Sequence, residues 1–161
     1  MTETFVKILI MLLAVNGAPI IAARVCRHRG STPVDLGRRL GDERPILGAS
    51  KTWRGLAAAL VTSCILSSAF GYGLEFGLAF GVLVMAGDLI SSFVKRRRGL
   101  QSSDQYLGVD QIPESLLPAI YSVVVLDTAW IWAVLWVLAF MLLELLISRP
   151  LFLLKIRKRP Y

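Results

Sequence analysis

The 161-residue sequence predicts an all-α membrane protein: a single integral domain over residues 1–161, with about five transmembrane helices and a polar site facing the cytoplasm. Three observations lead there. The chain is 55% hydrophobic with a mean hydropathy of +0.63, too apolar for an ordinary soluble domain. Its apolar residues gather into segments 5–25, 55–72, 73–94, 112–126 and 128–147. Its net charge of +7 is concentrated between those segments. A basic chain can bind nucleic acid, but no base-reading motif is present and the cations border apolar spans. Anionic lipid head groups or phosphorylated substrates are the expected partners.

The first span, Phe5–Val25, covers about 30 Å at about 1.5 Å per residue, enough to cross the hydrocarbon. Asn16-Gly17-Ala18-Pro19 is rich in small residues, as a cleaved signal peptide would be. The basic charge, however, follows this segment far more strongly than it precedes it, opposite to a signal peptide. The reading is a retained helix, kinked by Asn16, Gly17 and Pro19. The loop that follows, residues 26–54 with Arg24 at its edge, sets Arg24, Arg27, Arg29, Arg38, Arg39, Arg44, Lys51 and Arg54 against only Asp35, Asp42 and Glu43. His28, among these arginines, reads as an interfacial side chain. Cys26 and Cys64 show neither a disulfide framework nor metal spacing.

Within that loop, Pro33-Val34-Asp35 precedes Arg44-Pro45-Ile46-Leu47-Gly48-Ala49-Ser50-Lys51-Thr52-Trp53-Arg54-Gly55. Ser50, Lys51, Thr52 and Arg54 cluster where the second helix begins. Free N–H groups, a positive dipole end and two cations make that start a phosphate site. The plainer reading is a helix cap with topology-setting charges. The second and third spans form an antiparallel hairpin about Tyr72. Gly73, Gly77 and Gly81 give a stripe for close helix approach, with Ser68 and Ala69 as expected neighbours.

The third span ends in Gly87-Asp88-Leu89-Ile90-Ser91-Ser92-Phe93-Val94-Lys95-Arg96-Arg97-Arg98. Asp88, Ser92 and Lys95 share one helix face. An acid in lipid is costly unless paired or bound to an ion, so Asp88 beside cations suggests a metal and a phosphate. The plainer reading is an Asp88–Lys95 salt bridge beside an arginine anchor. After the loop 95–111, Val109-Asp110-Gln111 puts a second carboxylate at the start of the fourth span. There Asp110 could meet Asp88 at one membrane level, or simply cap the helix ahead of Pro113. The fifth span carries Trp130, Trp132 and Trp136, an interfacial belt with core packing, and Glu144, read as structural. The tail 148–161 is basic through Lys155, Arg157, Lys158 and Arg159. Five spans put all three basic segments on one side, cytoplasmic by the positive-inside rule, with the N-terminus out and the C-terminus in.

In order, Pro-x-Asp, Ile-Leu-Gly-x-Ser-Lys-Thr-Trp-Arg-Gly, Gly-Asp-x-x-x-Ser-Phe-x-Lys-Arg-Arg-x-Gly and Asp-Gln resemble the CDP-archaeol synthase family. These are small five-helix membrane cytidylyltransferases related to CDP-diacylglycerol synthases. The resemblance implies transfer of CMP from CTP to a lipid phosphate in phospholipid biosynthesis, yielding a CDP-lipid and pyrophosphate at the cytoplasmic membrane. It implies Asp88 and Asp110 as Mg²⁺ ligands, and Lys95 and Lys51 as catalytic cations. Ser50, Thr52, Arg54, Ser92, Arg96, Asp35 and Arg44 fall in the substrate-binding motifs. Phosphoryl chemistry of this kind needs positioning and charge neutralisation more than covalent help. The chain lacks the His-Gly-Gly element of the larger relatives. The alternatives are a non-catalytic transporter or assembly subunit binding anionic lipid, which does not explain the two carboxylates, and a CDP-alcohol phosphotransferase, whose Asp-Gly-x-x-Ala-Arg pattern is missing. The oligomeric state stays open, a homodimer included.

Overall fold

Apolar runs bounded by glycine turns and basic loops fold as five helices: α1 (Thr2–Cys26), α2 (Trp53–Ala69), α3 (Leu74–Arg97), α4 (Gln111–Val125) and α5 (Ile131–Leu153). The computed structural model describes residues 2–27, 29–101, 106 and 108–153, with side chains described as far as residue 147. His28 and the tail cations Lys155, Arg157, Lys158 and Arg159, named above as interfacial and topology-setting, lie outside the described residues. Each predicted apolar segment overlaps one helix. Among the described residues there is no strand, only the isolated bridges Pro33–Thr52 and Arg39–Pro45.

Helices adjacent in sequence pack against one another, and α1 also reaches α5, which closes the bundle. Ile8, Met11, Leu12 and Val15 of α1 are fully buried, so this helix belongs to the core. The expected kink does not interrupt it: the helix continues through Pro19, and Asn16 Nδ2 donates to Leu12 O at 2.9 Å. α1 and α3 are long and apolar enough to cross a membrane, while α2 and residues 131–147 of α5 are shorter apolar helices. Aliphatic side chains such as Val61, Ile65, Leu78, Leu138 and Leu142 point outward, as a lipid-facing surface requires.

Small residues let the hairpin close. A Cβ on Gly77 would lie 2.7 Å from Ser67 Cβ, and one on Gly81 would lie 2.9 Å from Ser63 Cβ. Ser63 Oγ donates to Gly77 O and Ser67 Oγ to Gly73 O, each at 2.6 Å. The partners of the stripe are therefore Ser63 and Ser67, not Ser68 and Ala69: the four-residue spacing carries over to the facing helix one step earlier. Gly73 itself stands outside α3, at φ 86° in the turn. Of the tryptophans, Trp136 is buried and donates its Nε1–H to Phe5 O at 3.1 Å, whereas Trp130 is exposed.

Candidate active site

The site is assembled at the basic end of the bundle, where the loop after α1 folds over the ends of α3 and α4. Asp35 organises that loop. Its Oδ2 accepts the amides of Leu47 and Gly48 at 2.9 Å each, and its Oδ1 accepts that of Gly37 at 3.0 Å. Burial works against ionisation of Asp35, but these amides outweigh it and hold the carboxyl below the ordinary aspartate range. Val34 N donates to Lys51 O at 2.8 Å and Trp53 N to Thr32 O at 3.2 Å, so the Pro33 segment fixes the backbone around Lys51. A second clasp ties the loop to α3. Arg97 donates from Nη1 to both Asp42 oxygens at 2.5 and 2.6 Å and from Nη2 to Pro45 O at 2.5 Å, while Arg44 Nη1 donates to Arg97 O at 2.6 Å.

Held this way, Lys51 reaches across to α3. Its Nζ lies 2.5 Å from Asp88 Oδ1 and 2.6 Å from Oδ2. Burial works to depress the Lys51 pKa, but the Asp88 carboxylate beside it prevails, so the ammonium is held in its charged form. Lys95, one face up α3, pairs with Asp110 Oδ1 at 2.7 Å. The Asp88–Lys95 bridge read from helix spacing is thus replaced by two pairs that cross between elements. Nor does Asp110 cap α4 with its side chain: Oδ2 accepts Tyr106 N at 2.9 Å, and no cap hydrogen bond is made.

α3 and α4 come together at Gly87. A Cβ there would overlap the Pro113 carbonyl and stand 2.5 Å from Glu114 Cα. Only glycine permits that approach, and it brings Glu114 to the ion pairs. Glu114 is 7% exposed, and its electrostatic neighbours are Asp88, Glu144, Lys51 and Asp110. Sequence reasoning missed it. A first-turn glutamate after proline looks like a helix-dipole residue; the signal that could have found it is its position one turn after Asp110, on the same helix face.

The remaining candidates divide. Ser92 and Arg96 are buried on α3 beside Lys95. Gln111 is fully buried, receives Gly108 N on its Oε1 at 2.8 Å, and has no acceptor for Nε2 among the described residues. The cluster at the start of α2 spreads apart instead of converging. Thr52 is the N-cap, its Oγ1 accepting Gly55 N at 3.2 Å, and Ser50 is exposed. Arg54 donates to the carbonyls of Arg27 and Arg29 at 2.9 and 2.5 Å. Asp35, Arg44 and Arg54 therefore have clear work in shaping loops.

Among the described residues no three carboxylate, histidine or cysteine side chains form a metal cage. Asp88 and Asp110 offer hard oxygen donors, each already holding a cation. Mg²⁺ commonly binds through one or two carboxylates plus substrate phosphates, and the donor set fits that pattern.

Lipid-facing helices and a buried cluster of carboxylates and ammonium groups define the class: an all-helical integral membrane protein with a polar cluster at one end of its bundle. The CarS-like: CDP-archaeol synthase family matches residues 1–74. A CDP-archaeol synthase of Halorubrum lacusprofundi is 35% identical over 137 residues, covering 74% of this chain and 71% of that one. The chain belongs to the CDP-archaeol synthase family. The synthase of Pyrococcus furiosus is 36% identical over 108 residues and that of Hyperthermus butylicus 33% over 110, and the chain spans 60% and 62% of their lengths. A solved structure described as an intramembrane enzyme for archaeal membrane lipids biosynthesis superposes with a TM-score of 0.72 at 28% identity, covering 89% of this chain and 91% of that one.

Proposed function

We propose that this protein is a CTP-dependent cytidylyltransferase that transfers CMP to a membrane lipid phosphate. The observation carrying this reading is the pair of cross-element contacts, Lys51–Asp88 and Lys95–Asp110, gathered with buried Ser92, Arg96 and Gln111 at one end of a membrane bundle. A structural role would be served by one such pair, whereas two pairs with a spare buried amide donor suit a polyphosphate. The family relatives support the same chemistry.

In the reaction, an oxygen of the lipid phosphate attacks the α-phosphorus of CTP. The new P–O bond forms as the bond to the β-phosphate oxygen breaks, and pyrophosphate leaves with the electron pair. The nucleophile is already an anion, so no strong base is required. Asp88 and Asp110 would hold Mg²⁺, which supplies charge neutralisation on the phosphates. Lys51 and Lys95, released from their carboxylates, would offset charge on the leaving pyrophosphate, and Arg96 and Gln111 Nε2 would orient the nucleotide phosphates. The lipid chains stay in the bilayer while the head group meets CTP at the basic end, which this reading assigns to the cytoplasmic face of the cell membrane.

The test is incubation of purified protein with labelled CTP, Mg²⁺ and a panel of isoprenoid-ether and diacyl lipid phosphates. CDP-lipid and pyrophosphate should form in equal amounts. No CDP-lipid from any member of the panel would refute the reading.

A further inference from the structure

We propose that Glu114 is a positioning residue: it takes up the Lys51 ammonium when Asp88 turns to a divalent cation, and holds it until the CTP phosphates arrive. The proposal rests on the cytidylyltransferase reading and deepens it, by saying how a carboxylate already occupied can become a metal ligand.

Lys51 Nζ contacts both oxygens of Asp88, so a divalent cation arriving at that carboxylate meets the ammonium at close range and repels it. A buried ammonium that leaves one carboxylate needs another, because an uncompensated charge in a dry site is strongly unfavourable. Asp110 already has a cation of its own, its Oδ1 holding Lys95 while its Oδ2 accepts the Tyr106 amide. After Asp88, Glu114 is the strongest negative neighbour of Lys51, ahead of Asp110. It is 7% exposed. The Gly87 contact seats Glu114 Cα against the residue just before Asp88, so the backbones that carry the two carboxylates are packed together. The surroundings of Glu114 favour the hand-over. Asp88, Glu144 and Asp110 repel its charge and Lys51 alone among its strongest neighbours attracts it, so the arriving ammonium relieves Glu114 as well.

The two arrangements make a thermodynamic cycle. Glu114 should matter to cation binding only when Lys51 is there to be displaced. Mn²⁺ alone is the probe, titrated by electron paramagnetic resonance into detergent-purified wild type, Glu114→Gln, Lys51→Met and the double variant, with no CTP present. Glu114→Gln should weaken Mn²⁺ binding about 10-fold or more in the wild-type background, within the range for residues that support metal ligands, and change nothing in the Lys51→Met background. Glu114→Asp should restore part of the loss. An equal loss in both backgrounds would make Glu114 a merely structural or direct ligand and overturn the proposal, as would no loss in wild type or no Mn²⁺ binding at all. If Lys51→Met does not fold, Mn²⁺-induced infrared difference spectra decide. A Glu114 carboxylate band must shift in wild type and vanish in Glu114→Gln, and an unshifted band overturns the hand-over. CDP-lipid formation on the same wild-type preparation judges the enzymatic reading separately.

Discussion

Replacing Gly87 with alanine puts a methyl group where the backbone of α4 already lies. Its Cβ would overlap the Pro113 carbonyl and stand 2.5 Å from Glu114 Cα. Carbon atoms rest about 3.5–4.0 Å apart, so α3 and α4 must part by roughly 1 Å. Overpacking of this kind costs about 1–3 kcal/mol, against which alanine recovers about 1 kcal/mol over glycine in a helix interior. The net destabilisation is then modest, about 0–2 kcal/mol. Function should suffer more. Asp88 follows Gly87 on α3, while Asp110 and Glu114 ride on the start of α4, so the displacement falls directly between them. A misplacement of about 1 Å costs on the order of 10²-fold in rate. Gly17→Ala is the control: nothing lies within 4 Å of its Cβ position, and the substitution should stabilise by up to about 1 kcal/mol with turnover intact. Thermal unfolding in detergent and CMP transfer measured on both variants give the answer. If Gly87→Ala melts like Gly17→Ala and turns over like wild type, the helices do not meet as described and the close approach does not position the carboxylates.

Asp88→Asn and Asp110→Asn keep side-chain size but remove the charge that a cation needs. Each should abolish most CMP transfer, with only partial rescue by added Mg²⁺, and wild-type turnover in either would remove the metal assignment. Asp35 contributes stability that is complete above the ordinary aspartate value of 3.8 and is lost as pH falls through its lower folded value. Protease sensitivity of the 33–51 loop should therefore rise only in strong acid, and Asp35→Ala should show it at neutral pH, losing about 2 kcal/mol or more. For sidedness, in a Cys26→Ser, Cys64→Ala background, Arg38→Cys and Lys158→Cys should label only from the cytoplasm and Ala129→Cys only from outside. Opposite labelling at any one of them would break the five-span orientation.

The helices were legible because apolar runs of span length, interrupted by clustered cations, leave little choice of fold. Lys51, Asp88, Lys95 and Asp110 stood out for a related reason: acids and lysines at a membrane edge are costly to keep without a use. Their partners were not legible. Helix periodicity can join Asp88 only to Lys95, whereas the contact with Lys51 depends on a loop whose course is set by Asp35 accepting three distant amides. The same loop draws Arg44 to the end of α3 and Arg54 to the Arg27 and Arg29 carbonyls, a division of labour that a basic cluster in one dimension conceals. Glu114 escaped notice because its significance comes from Gly87, 27 positions earlier, and from the absence of one side chain there.

The bond from Trp136 to the Phe5 carbonyl joins residues 131 positions apart, and Phe5 also stacks on Trp136 with ring centroids 6.3 Å apart. During synthesis α1 is thus left with an unfinished face until α5 arrives. α2 can cover part of α1 early, but the surface around Phe5 must wait in contact with lipid or insertion machinery for the whole interval of translation. Assembly of this bundle closes at the end, like a clasp, and a ribosome stalled before α5 would release a chain that has its site residues in place but no seal to hold the circle of helices shut.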